Sequence, residues 1–580
     1  MTEENDGEIN EIVQEEETNI SPPLTILERI KIFLRCYWKT IILIVTPIAL
    51  IPLLVTSNRP ESRCAFVIII MAVYWVTECL PMPITSLIPL ILFPVFGIMS
   101  TSKTCGCYMN DTIMVFIGGL IMALAIEHCN LHMRIALGVM KYVGCSHSKL
   151  LGGLCTVTMF ISMWISNTAA TAMMVPIVHA ILYELEKEGF GDMFIEIPDP
   201  ENPGKKPEKR PTKITKAYYM SAAYCSSIGG TGTLVGTGTN LTFKGIFEST
   251  FPESPGVNFT LWLAASFPQM IINTFLTWLY LQIMYFGMFR PNSNDAKSAT
   301  IGKEGEMIAN QVIEEKYKAL GKITFHEAST ATLFVVCILL WLFRKPDFVR
   351  GWSEVITDTE IKDSLPVLFI AILMFIIPKK PTCIYACNPN PSEGLVKSSE
   401  GLVNWKIIQN KMPWGLMFLL GGGFAISQGS NASCLSKRIG DSLEPLKNLP
   451  PLLILCIVCI SANTMTEFTS NAGVANIILP VVAQMSVAIK IHPMYFMIPV
   501  TLSCSYGFRL PVATPPNAIV CAAGNISTKS LILGGCIPVV YTFIVIIVLF
   551  LTYGKLIYDL DEFPSWAKSP KGGEGNSMCD

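Results

Sequence analysis

The chain has 580 residues, of which 51% are hydrophobic and only 15% are charged, whereas soluble globular proteins carry roughly 25% charged residues. Its 44 acidic and 42 basic residues nearly cancel, so no strong field favours a nucleic-acid partner. The composition excludes a soluble enzyme, a disulfide-bonded scaffold and a disordered protein. Uncharged apolar runs of about 18 residues or more can cross a bilayer core of roughly 30 Å. Their presence predicts an all-α polytopic protein embedded in membrane lipids.

The first segment, residues 1–39, has an acidic start and lacks the basic region that opens a signal peptide. We therefore expect a cytoplasmic N-terminal tail. Apolar runs then predict about eleven transmembrane helices, at 40–57, 64–80, 84–99, 112–130, 216–246, 260–287, 326–343, 363–378, 412–430, 493–522 and 530–553. With the N-terminus inside, the inner loops hold roughly 26 Lys and Arg residues against roughly 14 outside, as the positive-inside rule requires.

Two further apolar regions, 150–185 and 449–490, have polar residues at their middle. These are Ser166-Asn167-Thr168 in the first region and Ser470-Asn471 in the second. The arms of the first region are about 15 residues long, near 22 Å as helix, which is shorter than a full span. Backbone exposed at such a break is tolerated only where protein or a water-filled cavity surrounds it. We therefore predict two re-entrant hairpins.

The most polar internal segment, 186–216, is rich in proline and lysine and predicts a flexible cytoplasmic insert. The predicted organisation has five parts. They are a cytoplasmic tail at 1–39, a first inverted repeat at 40–246, a connecting helix and cytoplasmic loop at 247–325, a second inverted repeat at 326–553 and an extracellular C-terminal tail at 554–580.

The two repeats are predicted from a duplication of motifs. The first half contains Gly118-Gly119, Ser166-Asn167-Thr168 and Gly236-Thr237-Gly238-Thr239-Asn240, and the second contains Gly421-Gly422-Gly423, Ser470-Asn471-Ala472 and Ala513-Thr514-Pro515-Pro516-Asn517. Glycine and serine motifs lie 47 positions apart in the first half, from 119 to 166, and 49 in the second, from 421 to 470. Inverted repeats with interrupted helices are typical of secondary transporters, which bind their ligand at the repeat interface.

The duplicated motifs consist of neutral amides, hydroxyls and glycines, which suit two kinds of ligand. Helix N-termini carry partial positive charge and free N–H groups that bind carboxylates. Helix C-termini and unwound carbonyls can enclose a small cation such as Na⁺. A multiply charged anion is costly to bury alone, and nearby cations offset that cost. The sequence therefore favours a paired binding site for an anion together with coupling cations.

At these residues the sequence resembles the divalent anion/sodium symporter family, the carriers of di- and tricarboxylates such as succinate and citrate. The stretch 504–520, which reads CSYGFRLPVATPPNAIV, is similar to that family's signature along its whole length. Trp75-Val76-Thr77-Glu78 is similar to the family's early Trp-x-Thr-Glu motif. The paired Ser-Asn motifs complete the resemblance, which covers about residues 35–555 and is greatest to insect members.

The resemblance implies a homodimer in which each protomer combines a scaffold domain with a transport domain that moves as an elevator. It also implies a multi-pass protein of the plasma membrane without enzymatic activity or cofactor, with Na⁺ as a possible coupling ion. By position, the substrate would be bound by Asn167, Thr168, Thr237, Asn471, Thr514 and Pro515. One Na⁺ site would use Ser162, Ile165, Asn167 and Gly236, and the other Thr466, Thr469, Asn471 and Ala513.

Two positions depart from the family pattern. Ala472 stands where many members have threonine, which removes one hydroxyl contact to a carboxylate, and Arg509 stands where an uncharged residue is usual. Arg509 can pair with a substrate carboxylate or with an acid of the protein, and we expect the second.

Transport can be Na⁺ symport or Na⁺-independent exchange, and the anion can be a carboxylate or another divalent anion such as sulfate. The two-hairpin plan disfavours an ion channel, which needs a continuous pore.

Three other patterns invite a functional interpretation. The glycines at 230–236 nearly form a dinucleotide fingerprint, but no strand–helix unit frames them, and we interpret them as a break in a membrane helix. His128 and His132 lie four positions apart without a further metal ligand. Glu467 lies beside the second Ser-Asn motif, where an intramembrane acid is a functional candidate, whereas Glu127 has possible basic partners such as Arg134.

Overall fold

The structure is a computed structural model that describes residues 25–57, 59–144, 146–190, 192–197, 208–298, 302–345, 350–381 and 399–567. The start of the predicted N-terminal tail, the prolines at 198–207 and the end of the C-terminal tail lie outside these residues. Within them the chain is mainly helical, which confirms the all-α prediction. The main exception is a short antiparallel pair in the predicted insert, formed by strands Phe194–Ile197 and Glu208–Pro211.

The helices fall into two halves joined by a connecting region. The first half contains Ile26–Thr56, Pro60–Thr77, Met82–Thr85, Ile88–Val95, Thr101–Gly106, Asp111–His128, Leu131–Val143, His147–Ser162, Asn167–Lys187, Lys213–Gly230, Gly238–Thr250 and Phe259–Tyr285. The connecting region contains Asn294–Ser298 and Gly302–Ala319. Helix Phe259–Tyr285, which was predicted as part of the connecting region 247–325, is counted with the first half because it follows broken helix 1 as Thr528–Leu549 follows broken helix 2. The second half contains Phe325–Leu342, Trp352–Ile356, Ser364–Ile376, Trp405–Lys411, Trp414–Ala432, Leu435–Leu443, Pro451–Thr466, Asn471–Ile489, Pro493–Cys504, Pro515–Gly524, Thr528–Leu549 and Lys555–Tyr558.

Eight helical segments in the described part of the chain are long and apolar enough to cross a membrane, so the chain is a multi-pass membrane protein. Shorter apolar helices account for part of the difference from the eleven predicted spans; Ser364–Ile376, for example, has only 13 residues. The predicted span 84–99 is wrong as a single helix. It consists of Met82–Thr85 and Ile88–Val95, and Pro89 lies at the start of the second piece, where proline is tolerated.

Two more predicted spans, 216–246 and 493–522, are each interrupted. The interruption of the first was predicted from its glycines, whereas the second was predicted without a break and is wrong as a continuous helix. Broken helix 1 consists of Lys213–Gly230 and Gly238–Thr250, and broken helix 2 consists of Pro493–Cys504 and Pro515–Gly524. In broken helix 1 the interruption is rich in glycine, which is unfavourable in a helix interior. In broken helix 2 Pro511, Pro515 and Pro516 lack the N–H that a continuing helix needs and restrict the residues before them.

Both predicted hairpins consist of two helices joined by a short break, as expected. Hairpin 1 is formed by His147–Ser162 and Asn167–Lys187, and hairpin 2 by Pro451–Thr466 and Asn471–Ile489. The first arms have 16 residues each. For the second arm of hairpin 1 the predicted length of about 15 residues is wrong, because the helix has 21 residues and continues through polar residues past the apolar run. Re-entry of the hairpins into the membrane remains a prediction.

Each hairpin lies against the broken helix of the other half. Asn167–Lys187 of hairpin 1 packs on Pro515–Gly524 of broken helix 2, and Asn471–Ile489 of hairpin 2 packs on Gly238–Thr250 of broken helix 1. Each hairpin also packs on the broken helix of its own half. Because each hairpin packs on both broken helices, the two Ser-Asn motifs and the two interruptions belong to one packed unit.

The order of elements supports the predicted duplication. In each half a long helix, Asp111–His128 or Trp414–Ala432, is followed by a shorter helix, a hairpin, a broken helix and a long apolar helix. The glycine motifs in the two long helices allow close packing: a Cβ would lie 2.7 Å from Val367 at Gly118 and 2.8 Å from Ser86 at Gly422. The inversion of the second repeat, the domain boundaries and the elevator movement remain predictions.

Candidate functional site

Each hairpin turns at a serine that caps its second helix. Ser166 Oγ accepts a hydrogen bond from the backbone N–H of Ala169 at 3.3 Å, and Ser470 Oγ accepts one from Gly473 at 3.1 Å. Serine is favoured at this position because its side chain satisfies one of the first N–H groups of the helix. Asn167 and Asn471 consequently open their helices, where the helix dipole is positive.

In hairpin 1, Asn167 belongs to a cluster of three oxygen atoms. Ser162 Oγ lies 2.8 Å from Asn167 Oδ1 and 2.7 Å from the carbonyl oxygen of Ser226 in broken helix 1. The hydroxyl has one proton and can donate it to only one of these acceptors at a time. The cluster therefore has more acceptors than donors, an environment that favours a small cation.

Hairpin 2 repeats this arrangement with threonine in place of serine. Thr466 Oγ1 lies 2.6 Å from Asn471 Oδ1 and 2.8 Å from the carbonyl oxygen of Cys504 in broken helix 2. The hydroxyl residue and the asparagine are five positions apart in both halves. Four of the side chains predicted to bind Na⁺ are thus brought together in two matching pairs.

Two asparagines that the sequence identifies only as markers of the repeat hold the interruptions in shape. Their side-chain amides each donate to two backbone carbonyls at 2.7–3.1 Å, Asn240 to Gly230 and Thr233, and Asn517 to Gly507 and Leu510. The separations are ten and seven positions in both halves. The equal spacing from a glycine to each asparagine is the sequence signal that could have identified this role.

Close approach explains the glycines of broken helix 1. A Cβ at Gly230 would lie 2.3 Å from Asn167 Oδ1, and a Cβ at Gly236 would lie 2.5 Å from the carbonyl oxygen of Gly230. The counterpart of Gly236 in the second half is Ala513, whose Cβ would lie 3.1 Å from a Cβ at Gly507. The predicted Na⁺ ligands at these two positions can therefore offer only backbone groups.

The two halves meet at the N-termini of helices. A Cβ on Gly238 would lie 3.8 Å from the Cβ of Ala472, and Thr239 Oγ1 lies 2.7 Å from Ser505 Oγ. Ala472 is buried, whereas its counterpart Thr168 is exposed. Position 472 therefore faces the first half, and the missing hydroxyl falls at the junction of the halves.

The other predicted substrate contacts differ in accessibility. Thr237 is half-buried and Pro515 is exposed. Thr514 is buried, and its hydroxyl oxygen has no hydrogen-bond partner within the described residues. A buried hydroxyl without a hydrogen-bond partner is costly. Thr514 can therefore bind a ligand without breaking a hydrogen bond to the protein.

The early Trp-x-Thr-Glu motif covers the tip of hairpin 2. Thr469 Oγ1 donates to the carbonyl oxygen of Trp75 at 3.3 Å, and Ser470 Oγ lies 3.2 Å from Met82 Sδ. At the tip of hairpin 1, by contrast, Ser166 and Thr168, the residues on either side of Asn167, are exposed. Because the Thr469 hydroxyl is engaged and Ile165 has an apolar side chain, both predicted Na⁺ ligands would have to act through their backbone carbonyls.

Arg509 pairs with an acid of the protein, as expected. Arg509 Nε lies 2.9 Å from Glu467 Oε1, and its Nη2 donates to Asn463 Oδ1 at 3.3 Å. Glu467 also accepts hydrogen bonds from the backbone N–H groups of residues 508–510 at 3.0–3.3 Å. The guanidinium is therefore held by the protein and is not a lone charge available to a substrate.

The remaining sequence candidates have structural roles. His128 packs edge-on against His326 with 5.4 Å between ring centroids, and His132 Nδ1 lies 3.1 Å from a backbone carbonyl oxygen. The described residues contain no group of three or more His, Cys, Asp or Glu side chains that could hold a metal ion. Glu127 pairs with Lys411 at 2.5 Å, not with Arg134. The glycines at 230–236 form a helix interruption, as predicted.

Comparison with known proteins identifies relatives along nearly the whole chain. Residues 34–560 match the family described as "Sodium:sulfate symporter transmembrane region". "Protein I'm not dead yet" of Drosophila melanogaster is 42% identical over 543 residues, with 92% of both chains covered. The Na(+)/citrate cotransporter of Mus musculus is 38% identical, covering 91% of this chain and 96% of the relative. The mouse Na(+)/dicarboxylate cotransporter 3 is 37% identical, with 92% and 94% covered.

Proposed function

The chain belongs to the sodium:sulfate symporter family, and on this premise we propose that it is a secondary active transporter of di- and tricarboxylates such as citrate and succinate. Relatives named for Na⁺/citrate and Na⁺/dicarboxylate cotransport support this substrate class and Na⁺ coupling. We further propose that it works in the plasma membrane as a homodimer, with its N-terminus in the cytoplasm. The proposed activity requires no cofactor and no chemical conversion of the substrate.

The observation that carries this proposal is the pair of matching oxygen clusters at Asn167 and Asn471. In each cluster a hydroxyl lies within 2.6–2.8 Å of a side-chain amide oxygen and a carbonyl oxygen of the broken helix. Uncharged oxygens at helix interruptions suit Na⁺. We assign one Na⁺ to Ser162, Ile165, Asn167 and Gly236, and the other to Thr466, Thr469, Asn471 and Ala513.

The carboxylate substrate would be bound between the two hairpin tips. Helices begin there at Asn167, Gly238, Asn471 and Pro515, and helix N-termini favour negative charge. The proposed substrate contacts are Asn167, Thr168 and Thr237 from the first half, and Asn471, Thr514 and Pro515 from the second. Na⁺ in the adjacent clusters would offset the charge of the bound anion.

The interlocked packing supports an elevator movement. Because each hairpin packs on the broken helix of the other half, the two hairpins and the two broken helices form one body. In our proposal this body carries substrate and Na⁺ together between the two sides of the membrane. Movement as a single body would keep the two oxygen clusters and the substrate contacts in register during transport.

The proposal can be tested by uptake into proteoliposomes. Labelled citrate and succinate should enter saturably, and faster with an inward Na⁺ gradient than with choline. Preloading with unlabelled citrate distinguishes exchange, which needs an internal substrate, from symport. Labelled sulfate tests the second candidate substrate, which the description of the matched family favours. Vesicles with the Asn167→Ala variant are the control, and ohmic currents without saturable uptake would refute a carrier.

A further inference from the structure

Glu467 anchors the interruption of broken helix 2. Its side chain is only 3% exposed, and its carboxylate accepts backbone hydrogen bonds from Phe508 at 3.1 Å, from Arg509 at 3.0 Å and from Leu510 at 3.0 Å. Three successive N–H groups that point at one carboxylate form an anion-binding concavity. The interruption is therefore built around a buried negative charge.

The first half has no such charge at the equivalent place. Glu467 follows Thr466 as Met163 follows Ser162, and the carbonyl oxygen of Met163 accepts a hydrogen bond from Thr233 Oγ1 at 2.5 Å. The first arm of each hairpin is thus joined to the interruption of its broken helix, by a neutral hydrogen bond in the first half and by a carboxylate in the second. The otherwise similar halves differ in their electrostatics.

The buried charge lies beside the second oxygen cluster. Glu467 is the next residue after Thr466, whose hydroxyl contacts Asn471. The N–H of Leu510 donates to Glu467, and the carbonyl oxygen of Leu510 accepts from the N–H of Ala513 at 3.2 Å. Charges interact over longer distances inside a protein than in water, so a cation in this cluster would be attracted by Glu467.

Arg509 opposes that attraction. Its guanidinium lies 2.9 Å from the Glu467 carboxylate and is, among the described residues, the basic side chain paired with it. The side chain of Arg509 is 29% exposed, against 3% for Glu467, so solvent screens the pair only in part. The counterpart of Arg509 in the first half is Gly232, the residue before Thr233. Glycine has no side chain that could pair with a carboxylate.

We propose that Arg509 is a resident counter-charge for Glu467 and that it sets how strongly the second cluster binds Na⁺. The inference rests on the proposed function and deepens it. With Arg509 present, the negative charge beside the cluster is already neutralised, and Na⁺ binds weakly there. Without Arg509, the buried carboxylate keeps its three backbone hydrogen bonds but lacks a counter-charge, which a bound Na⁺ then supplies.

The test compares variants that separate charge from hydrogen bonding. Arg509→Lys keeps the charge, Arg509→Gln keeps hydrogen-bonding capacity without charge, and Arg509→Met removes both. The apparent melting temperature of the purified full-length protein is measured against Na⁺ concentration, with choline chloride holding ionic strength constant. We expect the Na⁺ concentration at half-maximal stabilisation to fall by about tenfold in the Gln and Met variants and to stay near that of the unmodified protein in the Lys variant.

A double variant gives a second, independent measure. Glu467→Gln combined with Arg509→Met removes both charges and should restore a Na⁺ requirement near that of the unmodified protein, whereas Glu467→Gln alone should weaken Na⁺ binding further. These variants keep the proposal testable if a single Arg509 change prevents folding. Na⁺ binding that is unchanged in Arg509→Gln, or that stays tight in the double variant, would overturn the proposal.

Uptake of labelled citrate in the same preparations separates this inference from the proposed function. If the unmodified protein transports citrate and the Gln and Met variants gain a steeper Na⁺ dependence, the counter-charge role is supported. If transport is normal but its Na⁺ dependence is the same in all variants, the role of Arg509 is refuted while the transport function stands. If no variant transports any anion, the Na⁺-dependent melting still decides the role of Arg509.

Discussion

Tyr506 and Gln269 join the two halves beside the interruptions of the broken helices: the Tyr506 hydroxyl donates to Gln269 Oε1 at 3.1 Å. Tyr506 lies in the interruption of broken helix 2, and Gln269 lies in helix Phe259–Tyr285 of the first half. Gln269 Nε2 also donates to Thr231 Oγ1 at 3.0 Å, at the start of the other interruption. The amide and the phenol are both buried. Through them the two interruptions share one hydrogen-bonded network.

Tyr506→Phe should weaken this connection without removing the ring. The ring would still stack on Phe508, at 5.6 Å between centroids. The hydroxyl would lose its buried contacts with Gln269 at 3.1 Å and Thr231 at 3.2 Å, which should lower the free energy of unfolding by about 1 kcal/mol for each hydrogen bond. We expect a lower melting temperature together with a higher KM for citrate. Tyr541→Phe is the control, because its hydroxyl contacts Thr277 at 2.6 Å away from the interruptions; it should lower stability and leave KM unchanged. Equal KM in all three proteins would argue against coupling through Tyr506.

Asn167→Ala should abolish citrate uptake with normal expression. The change removes a proposed substrate contact and the amide oxygen that lies 2.8 Å from Ser162 Oγ, so one substitution affects both the anion and the cation. Asn471→Ala should behave in the same way, because Asn471 has the same relation to Thr466. The measurement is initial uptake normalised to protein in the vesicles. Normal transport by either variant would contradict the assignment of the site.

Ala472→Thr should change the affinity for carboxylate or the dependence on Na⁺. Ala472 is 8% exposed and faces the N-terminus of the helix that begins at Gly238. A hydroxyl there can contact a bound carboxylate, which is expected to change KM by about tenfold in either direction. Thr168→Ala makes the reverse change at the counterpart position. KM and Na⁺ dependence unaffected in Ala472→Thr would mean that this side chain does not reach the ligand.

Gly230→Ala should inactivate the protein through steric displacement of Asn167. The added Cβ would lie 2.3 Å from Asn167 Oδ1, closer than van der Waals contact allows, so the amide must move out of its cluster. The expected result is loss of uptake and of Na⁺-dependent stabilisation. Gly106→Ala is the matched control, because a Cβ there would meet nothing within 4 Å. An active Gly230→Ala variant with unchanged Na⁺ response would show that the cluster tolerates displacement of Asn167.

The sequence predicted the hairpins and the break at 230–236, but not the interruption of broken helix 2, and the reason is physical. Ser166-Asn167-Thr168 interrupts an apolar run with polar groups, which hydropathy detects. The glycines at 230–236 indicated the first interruption, whereas 505–514 consists largely of uncharged or apolar residues, and hydropathy continues through it. The shape of both interruptions depends on hydrogen bonds such as that of Asn240 to Thr233. Tyr506 and Gln269 are 237 positions apart, a pairing that one sequence without its fold does not reveal.

The contact between hairpin 1 and broken helix 2 has a consequence for folding during synthesis. Pro515, which begins the helix that Asn167–Lys187 packs on, follows Lys187 by 328 positions in the chain. At a synthesis rate of about 5–20 residues per second, the ribosome needs about 15–65 s to deliver that partner. During this interval hairpin 1 can already pack on the broken helix of its own half, but its partner from the second half is missing. A nascent chain that stops between the two halves therefore leaves helix Asn167–Lys187 with only one of its two broken-helix partners.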